Sequence, residues 1–279
     1  MLIYMLIIKH QGKNMLGVIA GDIIGSKYEF TKDKRYHFDP LFHPKSKYTD
    51  DTICTTAVMR SLSNDTYPVE TMHAHCRKYF STGGWGQRFI QWMATKNPAP
   101  YGSWGNGSAM RIGPVGWVAN SLEDVIALSD KYTLITHNHP EAIDAARATA
   151  LAVFYARTGY SSYEIRELLS DIYRLDYTIA SIQKDYQRTE RALYSVPQAI
   201  TAALEAKSFE DALRLAICLG GDTDTQAAIA GGIAEARFGV PDDIAKQAMS
   251  YLDDELTSII SEFYAKYLPV QFKHLKTNL

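Results

Sequence analysis

Two short stretches of the 279-residue chain set paired carboxylates beside hydroxyls: residues 49–52 (TDDT) and, about 170 residues further on, residues 220–225 (GGDTDT). Each stands at the start of an apolar run with helical spacing. A single Asp or Thr at such a place is an ordinary N-cap, its side-chain oxygen accepting from a free N–H of the first turn. Two acids together, twice, exceed what capping needs, and a bound divalent cation offsets their repulsion. The donors are all oxygens, which suits a hard ion such as Mg²⁺, Mn²⁺ or Ca²⁺ rather than zinc. Taken alone, either stretch reads as a cap; taken together, they read as two halves of one metal site.

Between the halves, residues 83–87 (GGWGQ) and 101–116 (YGSWGNGSAMRIGPVG) are dense in glycine. Exposed backbone N–H groups there can hold a diphosphate, and the interleaved Trp85, Tyr101 and Trp104 can stack on a base or sugar. A structured loop with turn glycines explains the pattern equally well, and neither stretch matches a Walker or dinucleotide fingerprint. His137 and His139 in THNHPEA precede a helix, either as cap and loop residues or as contacts to phosphate or ribose. His73 and His75 are two apart, so on a helix they face different ways and make a poor metal pair. Cys54, Cys76 and Cys218 show no zinc-type spacing and are odd in number, which fits a reduced, cytoplasmic protein.

The elements that must position these groups read as helices. Residues 141–157 carry Ile143, Ala146, Ala150, Val153 and Phe154 at helical spacing, with Pro140 suited to the first turn. Residues 208–220 repeat the pattern with Ala212, Leu215, Ala216 and Leu219, and residues 224–239 do so again with Gly239 as the stop. Pro and Gly concentrate over 83–116, which predicts one long loop region. No alternating strands, internal repeat or linker stands out, so a single all-α domain is expected. A net charge of −2 without a dense Lys/Arg run argues against a nucleic-acid surface built on phosphate neutralisation. The opening MLIYMLII is too short to span a membrane and lacks the flanks of a signal peptide. Recognisable organisation begins at Met15, which makes 1–14 an N-terminal extension and 15–279 the domain.

In chain order, GDIIGSKYE, YTDDT, GNGSAMR, a TH pair before a helix and GGDTDT resemble the ADP-ribosylglycohydrolases, also called the dinitrogenase-reductase-activating glycohydrolase superfamily, over about residues 15–265. The resemblance implies an all-α, single-domain orthogonal helical bundle holding two Mg²⁺, with Mn²⁺ as the alternative. It implies Thr49, Asp50 and Asp51 as metal ligands from one side and Asp222, Asp224 and Thr225 from the other, leaving Thr52 as a hydroxyl that caps the helix or supports the ligands from behind. The implied reaction hydrolyses the bond from C1″ of the distal ribose of ADP-ribose to an acceptor, with Asp51 and Asp224 at the reacting centre.

Glu29, set among Gly25, Ser26 and Tyr28, resembles the glutamate of the serine-linked and poly(ADP-ribose) branch, where it would act as general acid or base. Gly84, Trp85, Gly86, Gly102, Ser103 and Trp104 match places where that branch grips diphosphate and adenine. Asn106 lies in the GNG core, and His137 matches a histidine near the phosphates. The implied partner is an ADP-ribosylated protein or an ADP-ribose-containing small molecule, with no membrane and a monomeric chain. An arginine or nucleobase linkage is the alternative acceptor. A non-catalytic ADP-ribose-binding relative is the alternative class, disfavoured because all six ligand positions and Glu29 are intact.

Overall fold

The structure, a computed structural model, describes residues 16–274, so the expected extension over 1–14 lies outside the described residues. Among the described residues fourteen α-helices follow in chain order: α1 (Gly17–Gly25), α2 (Asp50–Asn64), α3 (Pro68–Lys78), α4 (Gln87–Ala94), α5 (Gly113–Val118), α6 (Leu122–Thr133), α7 (Pro140–Arg157), α8 (Ser162–Leu168), α9 (Ile179–Ile182), α10 (Ala192–Glu205), α11 (Phe209–Cys218), α12 (Thr223–Phe238), α13 (Asp242–Met249) and α14 (Asp254–His274). No strand occurs among the described residues, and a lone antiparallel bridge joins Gly105 to Arg191. This is the expected all-α bundle. None of the described helices is long and apolar enough to cross a membrane.

The bundle is organised around α12, which is buried from Thr223 through Ala236. It packs against α1, α7, α10 and α11. A helix enclosed on so many sides has little room for large side chains, which explains its Ala- and Gly-rich sequence. The same enclosure blurs the one-face reading of α7. Ala146, Ala150 and Val153 are buried as expected, but so are Ala142, Ala145, Ala148 and Leu151, while Ile143 and Phe154 are only half-buried. Gly239 ends α12 at φ 75°, its N–H donating to Glu235 O, so the expected stop is present.

The tightest contact in the fold is α1 on α12. A methyl group at Gly21 would lie 2.0 Å from Ala227 O; at Gly17 it would lie 2.2 Å from Gly231 O, and at Gly25 2.3 Å from Thr223 O. Glycines four residues apart leave one stripe of α1 without side chains, and the two backbones meet along it. Leu16 offers no side-chain cap to α1. Glu235 of α12 supplies one instead, accepting from Gly17 N at 2.7 Å.

The expected long loop over 83–116 is interrupted by α4, a 3₁₀ turn at Asn106–Ser108 and the start of α5. Helix α4 forms because Phe89, Trp92 and Met93, spaced i, i+3, i+4, bury together. The glycine and proline density masked that short apolar face.

His73 and His75 do point apart. His73 is half-buried, whereas His75 is buried with Nε2 3.1 Å from Thr56 Oγ1 and Nδ1 3.4 Å from Arg60 Nη1. Burial first, and the Arg60 charge second, bring its pKa down to about 4 from 6.5. The unfolded chain therefore binds a proton that the folded one refuses between those values, so this term is lost as pH falls from 6.5 towards 4. His75→Gln is expected to flatten the fall in unfolding free energy over that window by on the order of 2–3 kcal/mol, read from urea titrations at pH 4.5 and 7.

Candidate active site

Helix α2 begins at Asp50, and its N-cap is Thr49, extended at φ −123°, ψ −162°, with Oγ1 accepting from Asp51 N. Of the two roles open to Thr52, the cap therefore falls to Thr49 and the supporting hydroxyl to Thr52. Thr52 lies within the first turn and donates through Oγ1 to Asp22 Oδ2 at 2.5 Å. Asp22, on α1, also accepts from Thr49 N at 2.9 Å, Thr49 Oγ1 at 2.7 Å and Thr52 N at 3.0 Å. The positive end of α2 thus rests on a fully buried carboxylate of α1. Sequence reasoning did not single out Asp22. Its one signal is that it is the sole charged residue in GVIAGDIIG.

The close α1–α12 contact brings Asp22 to the second acidic stretch. Carboxylate oxygens of Asp22, Asp51 and Asp224 lie within 4.8 Å of one another, and so do those of Glu29, Asp222 and Asp224. Asp224 belongs to both groups. Thr225 Oγ1 donates to Asp51 Oδ2 at 3.2 Å, and Asn106 Nδ2 donates to Asp222 Oδ2 at 2.6 Å. Asp51 Oδ1 is buried without any hydrogen-bond partner. A buried carboxylate oxygen left bare is costly, and here it stands among four other acids.

Burial is the main reason these acids resist ionisation. It pushes Asp50 up to about 7 and Asp222 to about 6, and it raises Asp51 and Asp224 well above the usual carboxylate range. Mutual repulsion adds to this at Asp50, Asp51 and Asp224. At Asp22 the four hydrogen bonds from Thr49 and Thr52 oppose the effect of burial. A dense, desolvated, oxygen-only acid cluster with one bare oxygen fits a hard divalent cation.

The cluster opens on a cavity of about 550 Å³. Glu29, Asp50, Asp51, Asp222, Asp224 and Thr225 line it, together with Gly84, Trp85, Gly86, Ser103, Trp104, Asn106 and His137. Two of the residues assigned from sequence do not line it. Thr49 is turned to Asp22, and Gly102, at φ 68°, donates its N–H to Asn138 Oδ1 at 2.6 Å. Asp50 lines the cavity but belongs to neither three-carboxylate group.

The cavity also holds groups to which sequence reasoning assigned no role: Phe30, Arg88, Arg188 and Arg111, the last of the GNGSAMR motif. Arg111 is wholly buried; Nη2 donates to Tyr132 O at 3.2 Å and to Thr136 Oγ1 at 2.6 Å, and Nε has no partner. Thr136 Oγ1 in turn lies 2.6 Å from His137 Nδ1. A guanidinium only donates, so the Thr136 hydroxyl is free to give its own hydrogen to Nδ1, an arrangement that puts the ring hydrogen of His137 on Nε2. Burial, then the charges of Arg111 and Arg88, hold His137 well below the usual imidazole range, so it is a neutral donor. Cys54 also lines the cavity, but burial pushes its thiol up, which removes it as a nucleophile.

Comparison with known proteins places this geometry in a family. The family model described as ADP-ribosylglycohydrolase matches residues 13–271. The mouse (Mus musculus) protein named ADP-ribosylhydrolase ARH3 is 27% identical, over 81% of this chain and 83% of its own length. ADP-ribosylarginine hydrolase Tri1 of Pseudomonas putida is 25% identical, over 85% of this chain and 73% of its own. A solved structure titled ADP-ribosylglycohydrolase-related protein complex has the same fold, with a TM-score of 0.67 at 22% identity over 90% of this chain and 95% of that one. With a helical bundle around an acidic cluster and a family match over nearly its whole length, the chain belongs to the ADP-ribosylglycohydrolase family.

Proposed function

We propose that the domain hydrolyses the bond between C1″ of the distal ribose of ADP-ribose and an acceptor oxygen, on a serine side chain or within poly(ADP-ribose), and so reverses ADP-ribosylation. The observation that carries this reading is the pair of carboxylate groups sharing Asp224, with Asp51 Oδ1 bare, at one cavity that Glu29 also lines. Asp22, Asp51 and Asp224 would hold one Mg²⁺, and Glu29, Asp222 and Asp224 a second, with Asp50 and Thr225 beside them and Mn²⁺ as a substitute. Bound divalent cations supply Lewis-acid polarisation of ribose hydroxyls and of water. Thr49 serves by holding Asp22 and capping α2 rather than from the cavity wall.

The chain's own groups then divide the work. Asn106 orients Asp222 through its 2.6 Å hydrogen bond. His137 offers Nε2–H, and Gly84 and Gly86 offer backbone, to the diphosphate, while Trp85, Ser103 and Trp104 receive the adenosine half. Glu29 exchanges a proton with the leaving oxygen or the attacking water as the sugar passes through its oxocarbenium-like state. The chain would act as a monomer in the cytoplasm, on an ADP-ribosylated protein or an ADP-ribose-containing small molecule.

The test is ADP-ribose release from serine-, arginine-, carboxylate- and nucleobase-linked substrates and from poly(ADP-ribose), by wild type and Glu29→Gln. Wild type with Mg²⁺ is expected to cleave oxygen linkages, and Glu29→Gln to lose about 10²-fold or more. Full turnover in excess EDTA would sink the metal reading. Cleavage of the arginine linkage alone would reassign the acceptor.

A further inference from the structure

The segment 183–191, between α9 and α10, gives Arg188 and Glu190 to the cavity wall and is tied down at both ends. At one end Gln183 Nε2 donates to Lys34 O at 2.8 Å and to Cys218 O at 2.7 Å, and Lys34 Nζ donates to Gln183 O and Tyr186 O. At the other end Asn106 N donates to Glu190 O at 2.9 Å, and Ala192 N to Trp104 O at 3.0 Å. Between these anchors, Arg188 turns into the cavity. Its Nη2 donates to Glu29 Oε1 at 2.8 Å and its Nη1 to Glu190 Oε1 at 3.1 Å. Its guanidinium also lies 4.4 Å from the centre of the Phe30 ring.

Phe30 is itself unusual. It is 76% exposed and sits at φ 61°, a left-handed conformation that bulky residues avoid. An exposed aromatic ring held in a strained turn, under a cation on a tethered strap, is a built feature at the cavity edge beside Glu29.

We infer that Arg188 is a specificity-determining residue that selects the acceptor by charge. The inference rests on the reading above, in which the departing acceptor atom meets Glu29. Any acceptor then leaves past the Glu29–Arg188 pair. A guanidinium on the acceptor would have to take Glu29 from Arg188 while lying against a like charge in a partly desolvated cleft, and such juxtapositions are strongly disfavoured. An uncharged hydroxyl acceptor meets no such opposition and can accept a hydrogen bond from the guanidinium. The cation therefore excludes arginine-linked ADP-ribose and admits neutral oxygen-linked acceptors.

The experiment compares kcat/KM for serine-linked and arginine-linked ADP-ribosyl peptides in wild type, Arg188→Gln and Arg188→Lys. Arg188→Gln is expected to raise the arginine-to-serine ratio by about tenfold or more, and Arg188→Lys, which keeps the charge, to hold it within about threefold. An unchanged ratio in Arg188→Gln overturns the inference. So does an equal loss on both linkages, which would make Arg188 a prop for Glu29 and nothing more. Wild type that cleaves neither linkage also overturns the inference, and wild type inactive on poly(ADP-ribose) and the other linkages as well overturns the hydrolase reading with it, so the two failures are told apart by the wild-type arm.

Discussion

Asp224→Asn is expected to melt higher than wild type in EDTA and to release ADP-ribose at least about 10²-fold more slowly in Mg²⁺. The two halves of this result have one cause. Asp224 is nearly fully buried, belongs to both three-carboxylate groups, and faces the charges of Asp222, Asp51, Glu29 and Asp22. Without a cation, its carboxylate must either ionise against that repulsion or carry a proton that the unfolded chain does not need. Asn has the same shape and keeps an oxygen for the Thr225 N–H, which Asp224 Oδ1 accepts at 2.9 Å. The variant thus loses a buried charge without leaving a hole, a gain of about 1–2 kcal/mol or some 2–4 °C for a chain of this length. With Mg²⁺ the order reverses, because the variant has lost the one acid common to both groups. Thermal melts in EDTA and in Mg²⁺, beside an ADP-ribose release assay, check both halves. A variant that melts lower than wild type in EDTA would mean that the cluster is not strained by its own charge.

Gly21→Ala is expected to destabilise the fold by about 3 kcal/mol or more, although the change adds a single methyl group. Ala is ordinarily the better helix former by about 1 kcal/mol, so the sign is set by packing alone. The new carbon would stand 2.0 Å from Ala227 O and 2.4 Å from Ala227 C, and backbone cannot swing aside as a side-chain tip can. Helix α1 would have to lift from α12, carrying Asp22 away from Asp51 and Asp224. Any folded remnant should therefore also lose its rise in melting temperature with Mg²⁺. Gly86→Ala is the control: nothing lies within 4 Å of the added methyl, and its unfolding midpoint should stay within about 1 kcal/mol of wild type. Urea titrations of both variants decide the matter, and a Gly21→Ala midpoint as mild as that of Gly86→Ala would show that the helix contact is compliant.

These two residues mark where sequence reasoning reached and where it stopped. Asp50, Asp51, Asp222 and Asp224 announced themselves because a helix start needs one capping group and each stretch offers more. The helical character, the Gly239 stop and the glycine loops were legible for the same reason: caps, turns and periodicity act within a few residues, so they are written in the local sequence.

Asp22 was not legible. A lone acid in an apolar helix acquires a role only from what packs on it, and its partners Thr49 and Thr52 stand 27 and 30 residues away. That Thr49 caps α2 while Thr52 supports Asp22 turned on that same distant carboxylate and on a helix start one residue before Asp51. Gly102 kept its loop but spent its N–H on Asn138, 36 residues on. Arg188 sits in a segment without motif or period, and only the tethering of that segment at Lys34 and Asn106 brings its guanidinium to Glu29, 159 residues earlier in the chain. The order of residues along the chain was enough to show the two acidic stretches and the helices that bear them. Only the folded chain settled which acids share a cavity and which cation faces Glu29, because those contacts depend on how closely two glycine-faced helices meet and on a distant tether, not on any residue's neighbours in the chain.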